Sequence, residues 1–333
     1  MKNKLVIAVV LLLLISMLGF AGGKADAGKS GTAATAYPTR NVNGIVLWGV
    51  GGTTDIIMRP LATLAEKNLG ANIVVQNMTG GGGSIAAQYV WDAPADGYTL
   101  FMGAENPPLY KVLGISDVTY DNFDCAFLIG DVTVAVLVGK NSPYKTFTEL
   151  INAAKARPGT MKLATTGKGG LPFNATAFIT EVTGATFNQI PYDSDSNART
   201  AVVNGECDFT VIGVPVVIEA YKAGDIKLLT VWTLNTHPIF PEVPIVVKEY
   251  PDFAKYLPWG PFYGIFVKKG TDPAIQKKIA DAFLAASKDP SYLKVLENLN
   301  TNYLGFTGAE AQKYIDGWST NTINALLKSG ALN

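Results

Sequence analysis

The chain has 333 residues, of which 48% are hydrophobic, and it carries 27 basic and 27 acidic residues. Without residues 1–27, which hold three Lys and one Asp, 24 basic and 26 acidic residues remain. This balance argues against nucleic acid as a partner, because nucleic acid requires a basic surface. The remaining length is enough for two domains of ordinary size.

The start of the chain has the pattern of an export signal. Two Lys residues precede a predominantly apolar run over residues 5–20, and small residues follow. That order is typical of a secretory signal peptide, and the run is shorter than the roughly 20 apolar residues of a membrane span. The sequence therefore predicts a signal peptide over residues 1–27, cleaved after Ala21 or Ala27, with an uncleaved anchor as the alternative. A flexible leader over residues 28–36 follows, and the mature protein is expected in the periplasm.

The next segment alternates between strand and helix patterns. Short apolar runs predict strands over residues 44–48, 73–75 and 98–102, and amphipathic stretches predict helices over residues 55–68 and 84–91. Strands that alternate with helices are typical of a parallel sheet with helices on its faces.

The pattern changes in the middle of the chain. A long apolar stretch covers residues 126–138, and further strands are predicted over residues 162–164, 226–232 and 264–267. Helices are predicted over residues 147–156, 174–182, 198–204, 216–222, 272–287 and 308–328. We interpret the middle as a second α/β block, so the expected organisation is domain 1 over residues 37–134 and 258–333 and domain 2 over residues 135–257.

Three glycine-rich turns lie where predicted strands lead into helices, at residues 50–55, 79–84 and 165–170. In an open α/β sheet, ligands bind beyond the carboxyl ends of the strands. There the free N–H groups and the dipole of a helix start favour an anion. The alternative is that these are only tight turns, and the four glycines of the second turn are expected to serve packing and chain reversal as well. No turn matches a nucleotide-binding P-loop, which needs a Lys after its last glycine.

Several short motifs, taken together, resemble the substrate-binding proteins of tripartite tricarboxylate transporters, also called the Bug family. The resemblance covers residues 37–333. It rests on Tyr37-Pro38-x-Arg40, Gly51-Gly52-Thr53-Thr54-Asp55, Val75-x-Asn77, Ala95-Asp96-Gly97-Tyr98-Thr99-Leu100, Pro158-Gly159, Pro191-Tyr192, Gly205-x-x-Asp208 and Pro241-x-Val243-Pro244.

The resemblance implies an α/β fold of the type II periplasmic-binding-protein (Venus-flytrap) class, with two domains, two crossover segments and a small carboxylate in the cleft. It also implies that the turns at residues 51–55 and 165–170 hold the ligand. The implied partner is the membrane part of a secondary transporter. The residues expected to bind the ligand are Trp48, Gly51, Gly52, Thr53, Thr54, Asp55, Glu105, Thr165, Thr166, Gly167, Lys168, Gly169, Gly170, Asn174, Asp193 and Asp195.

The charged residues among them depart from the family pattern. Lys168 stands where the family commonly has a small polar residue, and it is hypothesised to pair with a ligand carboxylate. Asp193, Asp195 or Glu105 would receive an amino group or a hydroxyl, so an amino acid or a hydroxy-dicarboxylate would suit both signs. The alternative is that all of these are solvated rim charges, which contribute little individually.

The sequence contains few of the residues that catalysis requires. It has one histidine, His237, expected to be a solvated loop side chain, and no nucleophile with a neighbouring base. Cys125 and Cys207 are treated as buried thiols, with a disulfide between them as the alternative. No metal site and no cofactor are expected, because a single His and two distant Cys cannot complete one.

A binding protein, monomeric and without enzymatic activity, is therefore the prediction. The alternatives are a ligand-binding protein for a two-component sensor and a secreted enzyme on the same scaffold. Trp259, Phe262 and Tyr263 either wall an apolar part of the ligand or pack the core between the domains.

Overall fold

The computed structural model describes residues 37–331, so the predicted signal peptide and leader lie outside the described residues. From Pro38 onward the chain forms one compact unit, and this unit contains two β-sheets with helices around them. The predicted α/β class is confirmed, whereas the division into two domains stays a prediction.

The eleven strands of the described residues follow one another along the chain. They are β1 (Val42–Val46), β2 (Ile73–Asn77), β3 (Thr99–Ala104), β4 (Phe123–Val132), β5 (Val134–Gly139), β6 (Lys162–Thr165), β7 (Asn188–Pro191), β8 (Phe209–Gly213), β9 (Ile226–Val231), β10 (Phe262–Lys268) and β11 (Thr301–Phe306).

The α-helices of the described residues lie between and after these strands. They are α1 (Thr53–Leu69), α2 (Ser84–Asp92), α3 (Tyr110–Leu113), α4 (Phe147–Ala156), α5 (Leu171–Thr183), α6 (Asp195–Val203), α7 (Ile218–Lys222), α8 (Val246–Glu249), α9 (Pro273–Ser287), α10 (Pro290–Asn298) and α11 (Gly308–Lys328).

The first sheet has the strand order β11-β4-β10-β3-β1-β2. Strand β1 pairs in parallel with β2 and β3, as the alternating pattern predicted, and β10 pairs antiparallel with β3 and β4. Helix α1 buries Ile57, Leu61 and Ala65 as its apolar face, with Gly70 in the left-handed conformation at its end. Glycine adopts the left-handed conformation at little steric cost, so Gly70 is a favourable residue at this helix end.

The second sheet has the strand order β7-β6-β8-β5-β9. Strand β6 pairs in parallel with β7 and β8, and β5 runs antiparallel to β8 and β9. In both sheets a parallel strand leads through a glycine-rich turn into a helix, β1 into α1 and β6 into α5. These turns therefore lie at the carboxyl ends of parallel strands, where ligands bind in open α/β sheets.

The apolar stretch expected over residues 126–138 is two strands in two different sheets, with Thr133 as the only residue between them. The segment just before β10 lies beside this break, since Val132 N donates a hydrogen bond to Pro261 O at 3.2 Å. A Cβ added at Gly260 would lie 1.9 Å from Val132 O, so only glycine fits there. Most residues of both strands are buried, so the hydrophobic pattern alone does not mark the break, although the expected domain boundary at residues 134 and 135 falls beside it.

Two elements near the end of the chain were not predicted. Helix α10 begins with the helix-start signal of Asp289, whose carboxylate accepts from Ser291 N at 2.8 Å, followed by Pro290. Strand β11 lies at the edge of the first sheet and is only partly buried. It has no alternation of apolar and polar residues, so its pattern was too weak to detect.

Candidate functional site

The turn between β1 and α1 is fixed by Asp55. Its carboxylate accepts hydrogen bonds from Gly51 N at 3.1 Å, Arg59 Nη2 at 2.5 Å and Asn77 Nδ2 at 3.0 Å. Burial raises the pKa of Asp55, but the bonds from Arg59, Gly51 and Asn77 outweigh it and hold the pKa below its ordinary value. The carboxylate is therefore ionised, and partners within the chain already occupy both of its oxygens.

The turn between β6 and α5 is fixed through the carbonyl of Gly169. Asn174 Nδ2 donates to this oxygen at 2.9 Å and Asn106 Nδ2 at 2.5 Å, so the turn is tied both to its own helix and to the segment after β3. Four buried atoms here lack a partner among the described residues: Thr165 Oγ1, Thr166 Oγ1, Asn106 Oδ1 and Asn174 Oδ1. Buried polar atoms are rarely left unpaired in folded proteins, so such a cluster points to a ligand or an ordered water.

The turn at residues 165–170 and the glycine-rich turn at residues 79–84 border a cavity of about 400 Å³, which we call the large chamber. Five predicted ligand residues line it: Trp48, Thr166, Gly167, Lys168 and Asp193. The side chain of Lys168 is exposed and forms no ion pair with any described residue. The volume is within the range of roughly 300–1,000 Å³ that small-molecule sites have.

A second cavity, which we call the small chamber, has a volume of about 10 Å³. Seven predicted ligand residues line it: Trp48, Gly52, Thr53, Thr54, Glu105, Thr166 and Asp195. Trp48 and Thr166 line both chambers, so the two cavities adjoin. The two acidic residues come from positions 90 apart in the chain, and only the fold brings them together.

The two acids of the small chamber have raised pKa values. Burial, then the nearby charge of Asp195, raises the pKa of Glu105 to about 8, and the residue is only 2% exposed. Asp195 as a whole is half-buried, but its carboxylate is buried, and this burial raises its pKa to about 6. Thr53 Oγ1 donates to Asp195 at 2.9 Å, and Thr53 also bonds the hydroxyl of Tyr263. The small chamber is therefore acidic, enclosed and connected by hydrogen bonds.

Loops of the two sheets touch each other beside the chambers. Ser196 Oγ donates to Gly51 O at 2.5 Å, and Gly49 N donates to Asp193 O at 3.1 Å. A Cβ added at Gly82, whose φ is +63°, would lie 2.4 Å from Lys168 O. The turn at residues 80–83 thus approaches the second sheet so closely that only glycine fits.

Six of the sixteen predicted residues line neither chamber. Gly51, Asp55, Gly169 and Asn174 hold the turns through the hydrogen bonds described above, while Thr165 and Gly170 lie at the end of β6 and before α5. As direct ligand contacts these six stay predictions.

Seven positions or short runs line the chambers and are not among the sixteen residues expected to bind the ligand, although Tyr263 was expected either to wall the ligand or to pack the core. They are residues 80–82, Ile115, Leu171, Pro191, Tyr192, Pro261 and Tyr263. The glycine run, the Pro-Tyr pair and Tyr263 had all been noted as motifs or aromatic clusters. Ile115 carried no sequence signal, because nothing local distinguishes it from a core residue.

Four other residues need a correction or a result. His237 was expected to be solvated, but it is 1% exposed, stacks on Phe240 and lies 2.7 Å from Asn300 Nδ2 through its Nε2. The expectation was wrong because a loop residue can pack into a neighbouring segment.

Cys125 and Cys207 are both free, so the disulfide alternative is excluded. Trp259 is buried against Phe178, Trp232 and Trp318 and borders a separate groove.

Within the described residues, no helix combines the length and the apolar character that a membrane crossing requires.

The family model described as "Tripartite tricarboxylate transporter family receptor" matches residues 57–328. The chain is similar to protein BugT of Bordetella pertussis (strain Tohama I), with 29% identity over 276 residues that cover 78% of this chain and 83% of BugT.

Solved structures share the fold. The periplasmic binding protein BugD matches with a TM-score of 0.80 and 24% identity, over 88% of this chain and 99% of BugD. The R. palustris protein Rpa4515, solved with adipate, matches with a TM-score of 0.80 and 23% identity, over 88% of this chain and 98% of its own. The fold and family of these proteins are those of binding proteins.

Proposed function

Because the chain belongs to the tripartite tricarboxylate transporter receptor family, we propose that it is an exported solute-binding protein. It captures a small carboxylate in the large chamber and delivers it to the membrane subunits of a secondary transporter. The observation that carries the proposal is a cavity of about 400 Å³ bordered by glycine-rich turns from both sheets.

A carboxylate suits the large chamber for two reasons. Helix α5 begins directly after the turn at residues 165–170, and its first residue, Leu171, lines the adjoining small chamber, so its positive dipole end favours an anion where the two chambers meet. The exposed ammonium group of Lys168 lines the large chamber and adds a full positive charge. The binding of adipate by Rpa4515, which has this fold, is consistent with such a ligand.

The domain organisation belongs to the same proposal. Domain 1 comprises residues 37–134 and 258–333, and domain 2 comprises residues 135–257, so that one sheet falls in each domain. Closing of the cleft around the ligand would be a hinge motion. The protein acts by binding alone, as a monomer in the periplasm after cleavage of residues 1–27, without cofactor, metal or nucleic acid.

A binding screen of the mature chain tests the proposal. Thermal shift with mono-, di- and tricarboxylates and with amino acids should identify a ligand that raises the melting temperature, because a ligand at 100 times its Kd stabilises the folded state by about 2.7 kcal/mol. Calorimetry should then give one bound ligand per chain. If no carboxylate of any kind binds, the proposed function is wrong.

A matched pair of variants locates the carboxylate. Lys168→Ala should weaken binding about tenfold or more, since a hydrogen bond to a charged group contributes about 1.5–3 kcal/mol. Lys145→Ala removes an exposed lysine from the loop before α4 and should leave affinity unchanged. Equal affinities in both variants would remove Lys168 from the site.

A further inference from the structure

The starts of three helices meet at the small chamber. The first residues of α1, α5 and α6, which are Thr53, Leu171 and Asp195, all line it. The positive dipole ends of these helices favour a negative charge in the chamber. The first turns of α1 and α6 already contain an acidic residue, whereas the first turn of α5 has neither an acidic residue nor a capping side chain. The start of α5 can therefore bind an anion from outside the chain.

An unpaired hydroxyl gives a second and independent indication of a ligand at this place. Thr166 is 5% exposed, its Oγ1 has no partner among the described residues, and it lines both chambers. A Cβ added at Gly170, the residue before α5, would lie 2.1 Å from this oxygen, so the hydroxyl lies beside the start of the helix. The chamber volume of about 10 Å³ is near the roughly 10–15 Å³ that a water-sized group needs. A ligand carboxylate at the junction of the chambers can therefore place one oxygen in the small chamber.

The charges of the small chamber oppose such a ligand unless one of them is neutralised. Ten residues line the chamber, and they include the carboxylates of Glu105 and Asp195 but neither Lys nor Arg. A ligand carboxylate beside two ionised carboxylates would place three like charges in an enclosed space, which is strongly unfavourable. At least one of the two acids must therefore hold a proton when the ligand is bound.

The hydrogen bonds of the two acids indicate which one holds the proton. Asp195 accepts from Thr53 Oγ1 at 2.9 Å and from the backbone of Gly213, and it lies in the first turn of α6. Such donors and a helix start stabilise an ionised carboxylate. The donors to Glu105 among the described residues are its own backbone N–H and Asn106 Nδ2, at 3.3 Å. Burial, then the charge of Asp195, raises the pKa of Glu105 to about 8, above that of Asp195 at about 6, so Glu105 is the acid that keeps a proton.

The other titratable groups that interact with Glu105 do not compete for this role. Besides Asp195 on α6, they are Tyr263 on β10, Tyr110 on α3 and Tyr120 just before β4. Burial raises the pKa of all three tyrosines well above the ordinary value, so they stay neutral. Between pH 7 and pH 9 the change of charge around this carboxyl group is therefore its own.

From these observations we propose that Glu105 binds the ligand as a carboxylic acid, whose O–H donates a hydrogen bond to the ligand carboxylate in the small chamber. Where Glu105 of the ligand-free chain is ionised, binding takes up one proton from the solvent, and this proton stays on Glu105. Hydrogen bonds from O–H to a carboxylate are short and strong, so Glu105 helps to select carboxylates over uncharged ligands of the same shape. The assignment rests on the proposed function, because it requires a carboxylate ligand.

Calorimetry on the mature chain measures the proton directly. The probe is the tightest binder among acetate, benzoate, succinate, adipate, citrate and L-glutamate. Titrations at pH 8.5 in buffers of different ionisation enthalpy should give an uptake of about 0.7 proton per bound probe, because a group with a pKa of about 8 is about three-quarters ionised there. The affinity of the wild type should fall about tenfold between pH 7 and pH 9 for the same reason.

Variants assign the proton to Glu105. Glu105→Gln keeps a neutral donor, so at pH 7 it should bind nearly as well as the wild type, and it should take up no proton at pH 8.5. Glu105→Ala lacks the donor and should bind about tenfold or more weakly at pH 7, while its thermal melting shows whether it folds. Glu310→Gln, at an exposed carboxylate, is the matched control and should keep the proton uptake of the wild type.

The possible results separate this assignment from the proposed function. If a probe binds and the wild type takes up no proton at pH 8.5, or no more than Glu105→Gln does, the assignment is overturned while the proposed function stands. If Asp195→Asn abolishes the uptake and Glu105→Gln keeps it, the proton belongs to Asp195 and the assignment is wrong. Binding of none of the six probes would contradict this assignment and the carboxylate proposal together.

Discussion

Replacing Glu105 by Gln should flatten the dependence of stability on pH. Burial, then the charge of Asp195, raises the pKa of Glu105 from 4.5 to about 8 in the folded chain. Between these two pH values the folded chain holds a proton that the unfolded chain has released. The free energy of unfolding therefore falls as pH rises through this window, and the contribution is complete only below about pH 4.5.

The size of the effect follows from the two pKa values. One unit corresponds to about 1.36 kcal/mol, so titration of this group alone should lower the free energy of unfolding by about 2.5 kcal/mol between pH 5 and pH 7. Glu105 is 2% exposed, so solvent screening does not reduce the figure much. The Gln variant lacks this titration and keeps nearly the same side-chain volume.

Urea unfolding of the ligand-free mature chain at pH 5, 6 and 7 gives the measurement. Subtracting the Gln variant from the wild type cancels the titrating groups that do not interact with Glu105. Glu310→Gln serves as the control, because Glu310 is exposed and its removal should leave the slope unchanged. If the wild type and Glu105→Gln have parallel pH profiles, Glu105 is not held in an unfavourable buried site, and the reasoning about the small chamber is refuted.

Three further outcomes are expected. Trp48 lines both chambers, so ligand should change the intrinsic fluorescence, and Trp48→Phe should abolish most of that change; an undiminished signal would locate the reporter elsewhere. Asp55→Asn should lower the free energy of unfolding by about 1–3 kcal/mol, measured in urea, because it weakens a buried charged network. Gly82→Ala and Gly114→Ala both place alanine at positive φ, which costs about 1–2 kcal/mol, but only Gly82 meets Lys168 O. Calorimetry should therefore show weaker ligand binding in Gly82→Ala alone.

Much of the fold could be predicted because local signals agreed with the final structure. Helices α4 and α11 have the predicted bounds, residues 147–156 and 308–328. For α4 the reason is visible, since Thr146 caps its first turn through a 3.0 Å bond from Glu149 N. The hydrophobic pattern alone does not mark the break at Thr133, because its neighbours Val132 and Val134 are apolar and buried, although the expected domain boundary at residues 134 and 135 falls beside it. Only tertiary pairing separates the two strands.

The site was predictable where glycine marked it and less so elsewhere. The turns at residues 51–55 and 165–170 were found because glycine-rich strand-to-helix turns have a known use. The pairing of Glu105 with Asp195 in one chamber could not be derived, since their separation in sequence carries no geometric information. His237 was misjudged for a related reason, because its partner Asn300 is 63 residues away.

The side-by-side crossing of Val132 and Gly260 limits how the molecule can bend. Two adjacent chain segments meet here, one with a single residue between strands and one with no space for a side chain. Sliding of the two segments past each other would break the bond from Val132 N to Pro261 O.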